Sequence, residues 1–354
     1  MTALEVAIEL CDDIAAIHRD RRVLPWMWGP ALLGFALAKL DEHLDEDRYL
    51  SCLERYGDHY LANPPSITYS DHVAPALVTW TLQRKGMERF APLTARAVDY
   101  IRNAPRAVDD AVNHLGRSPW NWIYPRSVWV DSLMMFSVFP AMYGRIEGDR
   151  YLLDVAARQP SQYARRMFDE ESGLWHHAYW VRFGPFPNVF WGRGNGWVVA
   201  ALPMILDQLP DDHPEREQIL GLLGRTSAAL LPLQSTDGTW KTVLKDRRRW
   251  FKSRGGYREL SATALVASGW LHGVRVGYLG EQYLDPAQRA LAAVTGAVRR
   301  RGGHVELPEI SGPTIPLPFA PRLGYLMTPK GSNHPYGVAA FVLAAINQDL
   351  LERA

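Results

Sequence analysis

Apolar residues recur at helical spacing in one segment after another, and alternating strand patterns are scarce. That periodicity limits the chain to an all-helical architecture. The segments run roughly over 3–18, 29–40, 46–61, 71–85, 88–103, 126–144, 149–168, 191–207, 215–232, 257–276, 286–300 and 334–352. Stop and start signals fall between them, at Asn63-Pro64-Pro65, Gly86, Asn103-Ala104-Pro105, Gly148, Asp211–Pro214 and Asp285-Pro286. The segments at 126–144, 191–207 and 257–276 are apolar nearly all round, as buried helices are. Those at 46–61, 88–103, 149–168 and 215–232 carry many charges. About a dozen helices alternating in this way form six pairs, an apolar ring inside an amphipathic one. The expected fold is therefore an all-α (α/α)6 barrel. No linker, low-complexity stretch or fixed-period repeat is visible, so residues 1–354 are expected to form a single domain rather than a solenoid.

Charge and composition narrow the function. Lys+Arg number 39 against 38 Asp+Glu, a formal charge of +1 that gives no reason to expect nucleic acid or an anionic membrane as partner. The first twenty residues mix acidic groups into an apolar pattern with no leading basic stretch, an amphipathic helix rather than a signal peptide. No run is long enough to span a bilayer. The two cysteines, Cys11 and Cys52, make no disulfide framework, which fits a reducing compartment and a cytoplasmic protein. The 13 tryptophans are an unusual load, and many stand beside Gly, Pro or His. Many lie in four longer loops at about 104–125, 171–190, 234–256 and 301–333, which points to a ligand cleft.

Phe190–Leu202, FWGRGNGWVVAAL, is the stretch with the densest chemistry. Trp191 and Trp197 bracket Gly192, Arg193, Gly194, Asn195 and Gly196. Glycines permit tight turns and close backbone approach, a guanidinium fork matches a carboxylate, and a tryptophan face suits a sugar ring. The stretch reads equally as the wall of a pocket for an anionic carbohydrate and as a glycine-rich packing turn. It is not a dinucleotide loop, because the spacing differs from G-x-G-x-x-G and no strand precedes it. Asp131, in Trp129-Val130-Asp131-Ser132-Leu133-Met134-Met135, is a carboxyl among apolar neighbours. Desolvation there is expected to raise its pKa toward that of a general acid. Asp71 opens another inner segment and reads locally as an N-cap; with Asp131 it also resembles the two-carboxylate arrangement of glycoside hydrolysis. His176-His177 lacks the spacing of a metal site, so no metal is expected. Arg247–Lys252 is a basic run read as a solvated loop or the rim of an acidic-substrate site.

Taken together, WVDSLMM at 129–135, GLWHHAY at 173–179, FWGRGNGW at 190–197, LPDDHP at 209–214, DGTW at 237–240 and ELSATAL at 259–265 resemble the unsaturated rhamnogalacturonyl hydrolases of glycoside hydrolase family 105. The related unsaturated glucuronyl hydrolases of family 88 share part of this pattern. The resemblance runs from about residue 20 to HPYGVAAFVLAA at 334–345. It implies an (α/α)6 barrel acting on small carbohydrates that end in a 4,5-unsaturated uronic acid, by hydration of the double bond and without any cofactor. It further implies that Asp131 protonates C4 and then activates water, that Asp71 assists, and that His177 bonds the sugar. Arg193 and Trp197 would hold the uronate, with Trp191, Asn195, Trp120 and Trp28 completing the substrate-binding set.

Three departures bear on specificity. Trp120 stands where members often have a histidine, eleven residues before the catalytic Asp. His177-Ala178-Tyr179-Trp180 replaces a stretch that often reads HGWD. A proline-rich segment, Gly302–Gly331, replaces a small-residue loop. A less polar group beyond the uronate is expected, and a rhamnogalacturonan substrate does not follow. A specialised metabolite as substrate, a sugar epimerase, an inverting glycosidase and a binding-only barrel are the alternatives on the same fold.

Overall fold

Helices form where the apolar periodicity places them. The structure, a computed structural model, describes residues 1–19, 23–122, 124–185, 189–246, 256–317 and 320–353. Among the described residues the inner helices are α2 (Trp28–Leu44), α4 (Ala76–Arg84), α6 (Val138–Ile146), α8 (Gly192–Leu206), α10 (Leu260–Arg275) and α13 (Pro335–Arg353). They pack in a closed ring, each against the next and α13 against α2. Outside them lie α1 (Ala3–Arg19), α3 (Leu50–Ala62), α5 (Ala91–Asn103), α7 (Arg150–Met167), α9 (Arg216–Leu230) and α11 (Leu284–Ala297). This is the expected (α/α)6 barrel. A short α12 (Pro321–Met327) is added before α13.

Composition decides which ring a helix joins. In α8 and α10 nearly every residue is buried, so neither has a face for water. In α7 a buried stripe of Leu152, Val155, Ala156 and Gln159 is backed by charged residues. Successive inner helices are joined through an outer one that runs back. All six inner helices therefore point the same way, and their N-terminal ends gather at one rim.

Three segments depart from the periodicity. The stretch 126–144 is not one helix: Ser127–Trp129 is a strand paired antiparallel with Ala178–Trp180, and a π-helical turn, Leu133–Ser137, leads into α6. Val128, Trp129 and Val130 are apolar on every period and favour the extended state, so spacing alone misreads them. Asp71 lies in a 3₁₀ turn, Ser70–His72, with α4 beginning only at Ala76, after Pro75. The glycine-rich stretch is not a turn but the first coil of α8. None of its glycines has positive φ. They are small because neighbours are close: a Cβ on Gly192 would lie 2.3 Å from the Lys241 carbonyl oxygen, and one on Gly194 would lie 2.8 Å from the Trp191 ring.

Among the described residues no helix is long and apolar enough to cross a membrane. The basic run Arg247–Lys252 lies outside the described residues.

Packing at Gly192 has a direct test in urea unfolding. Gly192→Ala should destabilise by about 1–3 kcal/mol, the usual range for overpacking. Gly221→Ala, in α9 with nothing within 4 Å of the new methyl group, should instead stabilise by about 0.4–1 kcal/mol. Equal midpoints for the two variants would remove the packing explanation for the glycine-rich stretch.

Candidate active site

Four side chains from four separate segments converge at the rim where the inner helices begin. Backbone hydrogen bonds hold the segments in register: Ser70 N donates to His114 O (3.0 Å), His114 N to Ser127 O (2.9 Å) and Val130 N to His177 O (2.9 Å). This stitching brings Asp71, His114, Asp131 and His177 together. Each carboxyl side chain keeps 13% of its surface open, so both are recessed but reachable.

His177 Nε2 lies 3.1 Å from Asp131 Oδ2. The two atoms are within ion-pair distance but do not meet the geometry of a hydrogen bond. On its other side His177 Nδ1 is 3.0 Å from the Tyr325 hydroxyl, and the imidazole stacks on Trp191 with centroids 4.1 Å apart. His114 is framed similarly. Its Nδ1 meets Ser132 Oγ at 2.8 Å, its Nε2 is 3.7 Å from Asp71 Oδ1, and its ring lies flat on Trp129 at 4.0 Å.

The electrostatics separate the two carboxyls. Burial, then the charge of Asp131, pushes Asp71 well above the ordinary carboxyl range. Burial also acts upward on Asp131, but the charge and contact of His177, with His114 and Arg193, outweigh it and leave Asp131 below the ordinary value. Burial pushes His114 down to about 3, so it is neutral. The expectation that desolvation raises the pKa of Asp131 is therefore corrected, because His177 outweighs it. Within the pair, burial and the neighbouring charge favour the protonated form of Asp71, whereas His177 favours the ionised form of Asp131. Such a pair can deliver a proton to a reacting atom and accept one from water. Among the described residues no cluster of His, Cys, Asp and Glu is arranged to hold a metal ion.

The remaining sequence candidates divide between wall and scaffold. Arg193 is 1% exposed. Its Nη1 donates to Ser311 O (2.9 Å), and its Nη2 to Gly312 O (2.8 Å) and Thr314 Oγ1 (3.0 Å). The guanidinium is sandwiched between the Trp191 and Tyr336 rings, 4.6 and 4.9 Å from their centroids. In this structure the fork read as a carboxylate clamp grips backbone instead. Asn195, fully buried, accepts from Trp175 N and donates to Trp175 O and Trp191 O, so it is scaffold too. Trp191 and Trp197 are each 1% exposed and have no face for a sugar; they back His177 and Trp28 respectively. Trp28 is half-buried against Trp197 and Tyr336, and Trp120 is 61% exposed. His114 and Tyr325 escaped the sequence reading. Each lies in one of the long loops, but no local spacing marks either as a partner of a carboxyl some distance away in the chain.

The family model described as Glycosyl Hydrolase Family 88 matches residues 8–350. An unsaturated 3S-rhamnoglycuronyl hydrolase of Alteromonas sp. (strain LOR) is 28% identical over 246 residues, 66% of this chain and 57% of that protein. The unsaturated rhamnogalacturonyl hydrolase YesR of Bacillus subtilis (strain 168) is 26% identical over 282 residues, 78% of this chain and 77% of that protein. The chain thus spans little more than half the length of the Alteromonas relative. Among solved structures, a glycoside hydrolase from family 105 of C. acetobutylicum ATCC 824 superposes with a TM-score of 0.84 at 25% identity, covering 97% of this chain and 99% of that one.

The scaffold role of Arg193 makes a prediction opposite to that of a substrate clamp. A lysine cannot reach Ser311 O, Gly312 O and Thr314 together, so Arg193→Lys should cost about 3 kcal/mol in chemical denaturation. A raised KM with an unchanged unfolding midpoint would return Arg193 to the substrate.

Proposed function

The chain belongs to Glycosyl Hydrolase Family 88, and from that premise we propose that it cleaves a terminal 4,5-unsaturated uronic acid from its aglycone by hydration of the double bond. The observation that carries this reading is the convergence of Asp71 and Asp131 with His114 and His177 at the barrel rim. The names of the relatives from Alteromonas and Bacillus support it. Residues 1–354 act here as one catalytic domain on a small carbohydrate. The free cysteines Cys11 and Cys52 favour a cytoplasmic setting.

The two carboxyls have different duties in this mechanism. Asp71 keeps its proton and so spares the pocket a second negative charge. Asp131 faces the reacting atoms: His177, His114, Tyr124 and Tyr325 all sense its charge or contribute to it. A bound uronate adds an anion and displaces water, and both effects raise the pKa of Asp131. Substrate binding therefore loads Asp131 with a proton. That proton passes to C4, and positive charge develops at C5 beside the ring oxygen. Water adds at C5 and returns a proton to the Asp131 carboxylate. The resulting hemiketal opens, breaking the bond from C5 to the ring oxygen, and the exposed hemiacetal at C1 releases the aglycone alcohol. One carboxyl thus serves as acid and base in turn, and no cofactor enters the balance. His177 and Tyr325, each 1% exposed, support Asp131 from behind, so the expected contact of His177 with the sugar is not made; Trp28 and Trp120 keep the exposure that a substrate contact needs.

Loss of the ultraviolet absorbance of the enol ether, measured on lyase-derived unsaturated disaccharides, tests the chemistry. Asp131→Asn should lower kcat by at least about 100-fold with folding intact; a near-normal rate would dismiss the mechanism.

The pH profile tests the division of labour. The wild-type rate should fall as pH rises through the upper pKa of the pair, because Asp71 then ionises and brings back the second charge. Asp71→Asn keeps that position neutral, so its residual activity should be flat over the same interval. An alkaline limb surviving in this variant would assign the limb to another group.

A further inference from the structure

The hydroxyl of Tyr325 stands behind His177, and no step of the hydration consumes it. Its ring, carried by α12, lies nearly parallel to Trp191, with centroids 5.8 Å apart and planes 12° apart. The end of α12 is pinned by Tyr257, whose hydroxyl lies 3.1 Å from Thr328 O and 2.9 Å from Ser311 Oγ. Thr328 Oγ1 in turn donates to Gly324 O at 2.8 Å. Held in this way, the Tyr325 hydroxyl reaches His177 Nδ1 at 3.0 Å. Among the described residues it has no other hydrogen-bond partner. Burial, then the charge of Asp131, pushes it well above the ordinary tyrosine range, so it keeps its hydrogen.

Two arrangements of hydrogen are open to Tyr325, His177 and Asp131. In the first, the hydroxyl donates to Nδ1, Nε2 carries the ring hydrogen, and that N–H faces ionised Asp131 across 3.1 Å. In the second, the His177/Asp131 pair holds one proton more, either on the ring or on the carboxyl oxygen that faces it. Nδ1 then carries a hydrogen, and the hydroxyl must accept it. The hydroxyl's own hydrogen is left without an acceptor in a buried place, which costs its full desolvation. The first arrangement is therefore favoured.

We propose that Tyr325 is a positioning residue: by giving its hydrogen to Nδ1 it holds His177 as a donor toward Asp131 and opposes proton uptake by that pair before substrate binds. Its part in the reaction rests on the hydration reading above, in which substrate binding loads Asp131; the placement of the hydrogens does not. The other titratable or charged groups around the pair are Asp71, His114, Arg193, Tyr124 and Tyr163. Those with hydrogen bonds of their own direct them elsewhere: His114 to Ser132, Arg193 to Ser311 and Tyr124 to Pro316. Their influence on the pair does not pass through the Tyr325 hydroxyl.

NMR titration of isotope-labelled aspartate carboxyls and histidine ring nitrogens reads both partners, with Asp131→Asn and His177→Gln assigning the signals. At neutral pH, wild-type His177 should carry hydrogen on Nε2 and none on Nδ1. Tyr325→Phe keeps the ring on Trp191 and removes only the hydroxyl. The pair should then take up its proton at a pH about 0.5–1 higher, because the arrangement with fewer protons has lost its support. In a His177→Gln background the same change should leave the Asp131 titration in place, since the route through the ring is gone. Hydrogen on Nδ1 in wild type, an unshifted titration in Tyr325→Phe, or a shift that persists without His177 overturns the proposal. On an unsaturated disaccharide, Tyr325→Phe should change kcat and its pH dependence while KM stays within about two-fold. A larger rise in KM with kcat unchanged would make Tyr325 a substrate contact instead and overturn the positioning role. The titrations need no substrate, so absence of turnover on any disaccharide would count against the hydration reading and leave the titrations to judge Tyr325.

Discussion

Two carboxyls recessed at one rim cannot both be ionised cheaply, and much of the surrounding structure answers that constraint. Burial acts against charge on both, and each raises the other's cost. The imidazole of His177, 3.1 Å from Asp131, breaks the symmetry: it lowers the pKa of Asp131, while burial and the Asp131 charge raise that of Asp71. His114 stays neutral beside both, held flat on Trp129 and bonded to Ser132, so it adds a dipole without a further full charge. The (α/α)6 topology contributes through the parallel inner helices. Their N-terminal ends gather where Asp71 and Asp131 sit, a setting that favours negative charge.

A second buried knot sets the shape of the wall. Ser311 is gripped through every polar group it has. Its N–H donates to Glu259 Oε1 at 2.9 Å, and its carbonyl oxygen accepts from Arg193 at 2.9 Å and from the Tyr336 hydroxyl. Its own hydroxyl accepts from Tyr257 at 2.9 Å. Glu259 also caps α10 through Ser261 N and Ala262 N, and Arg193 lies in the first turn of α8. Two inner helices are thereby tied to the segment that leads to α12, and so to Tyr325 and His177. A charged pair of anchors buried this deeply is costly to break on one side, because the other partner keeps its desolvation cost.

Much of the fold could be read from residue pattern, and the reason is physical. Helical periodicity and the contrast between apolar and charged helices are local properties of the chain, and they suffice to place α8 inside and α7 outside. Reading failed where local chemistry is degenerate. Val128-Trp129-Val130 satisfies strand and helix alike, and pairing with Ala178–Trp180 settled it. Gly192 and Gly194 look identical whether they bend a loop or admit a neighbour; the Lys241 carbonyl and the Trp191 ring decide for the latter.

For the site, residue type and order singled out Asp131 and Asp71 as candidate acid–base carboxyls and His177 as a candidate sugar ligand, because a carboxyl among apolar side chains and a histidine in an aromatic loop carry their chemistry with them. The state of those groups was decided only by tertiary structure. Charge depends on distances between segments remote in sequence: His177 and His114, which act on Asp131, and Tyr325, which meets His177, come together only after the barrel closes. Tertiary structure likewise turned Arg193 from the substrate to Ser311, since a guanidinium grips whichever oxygens the fold presents to it, and its position in the chain does not say which.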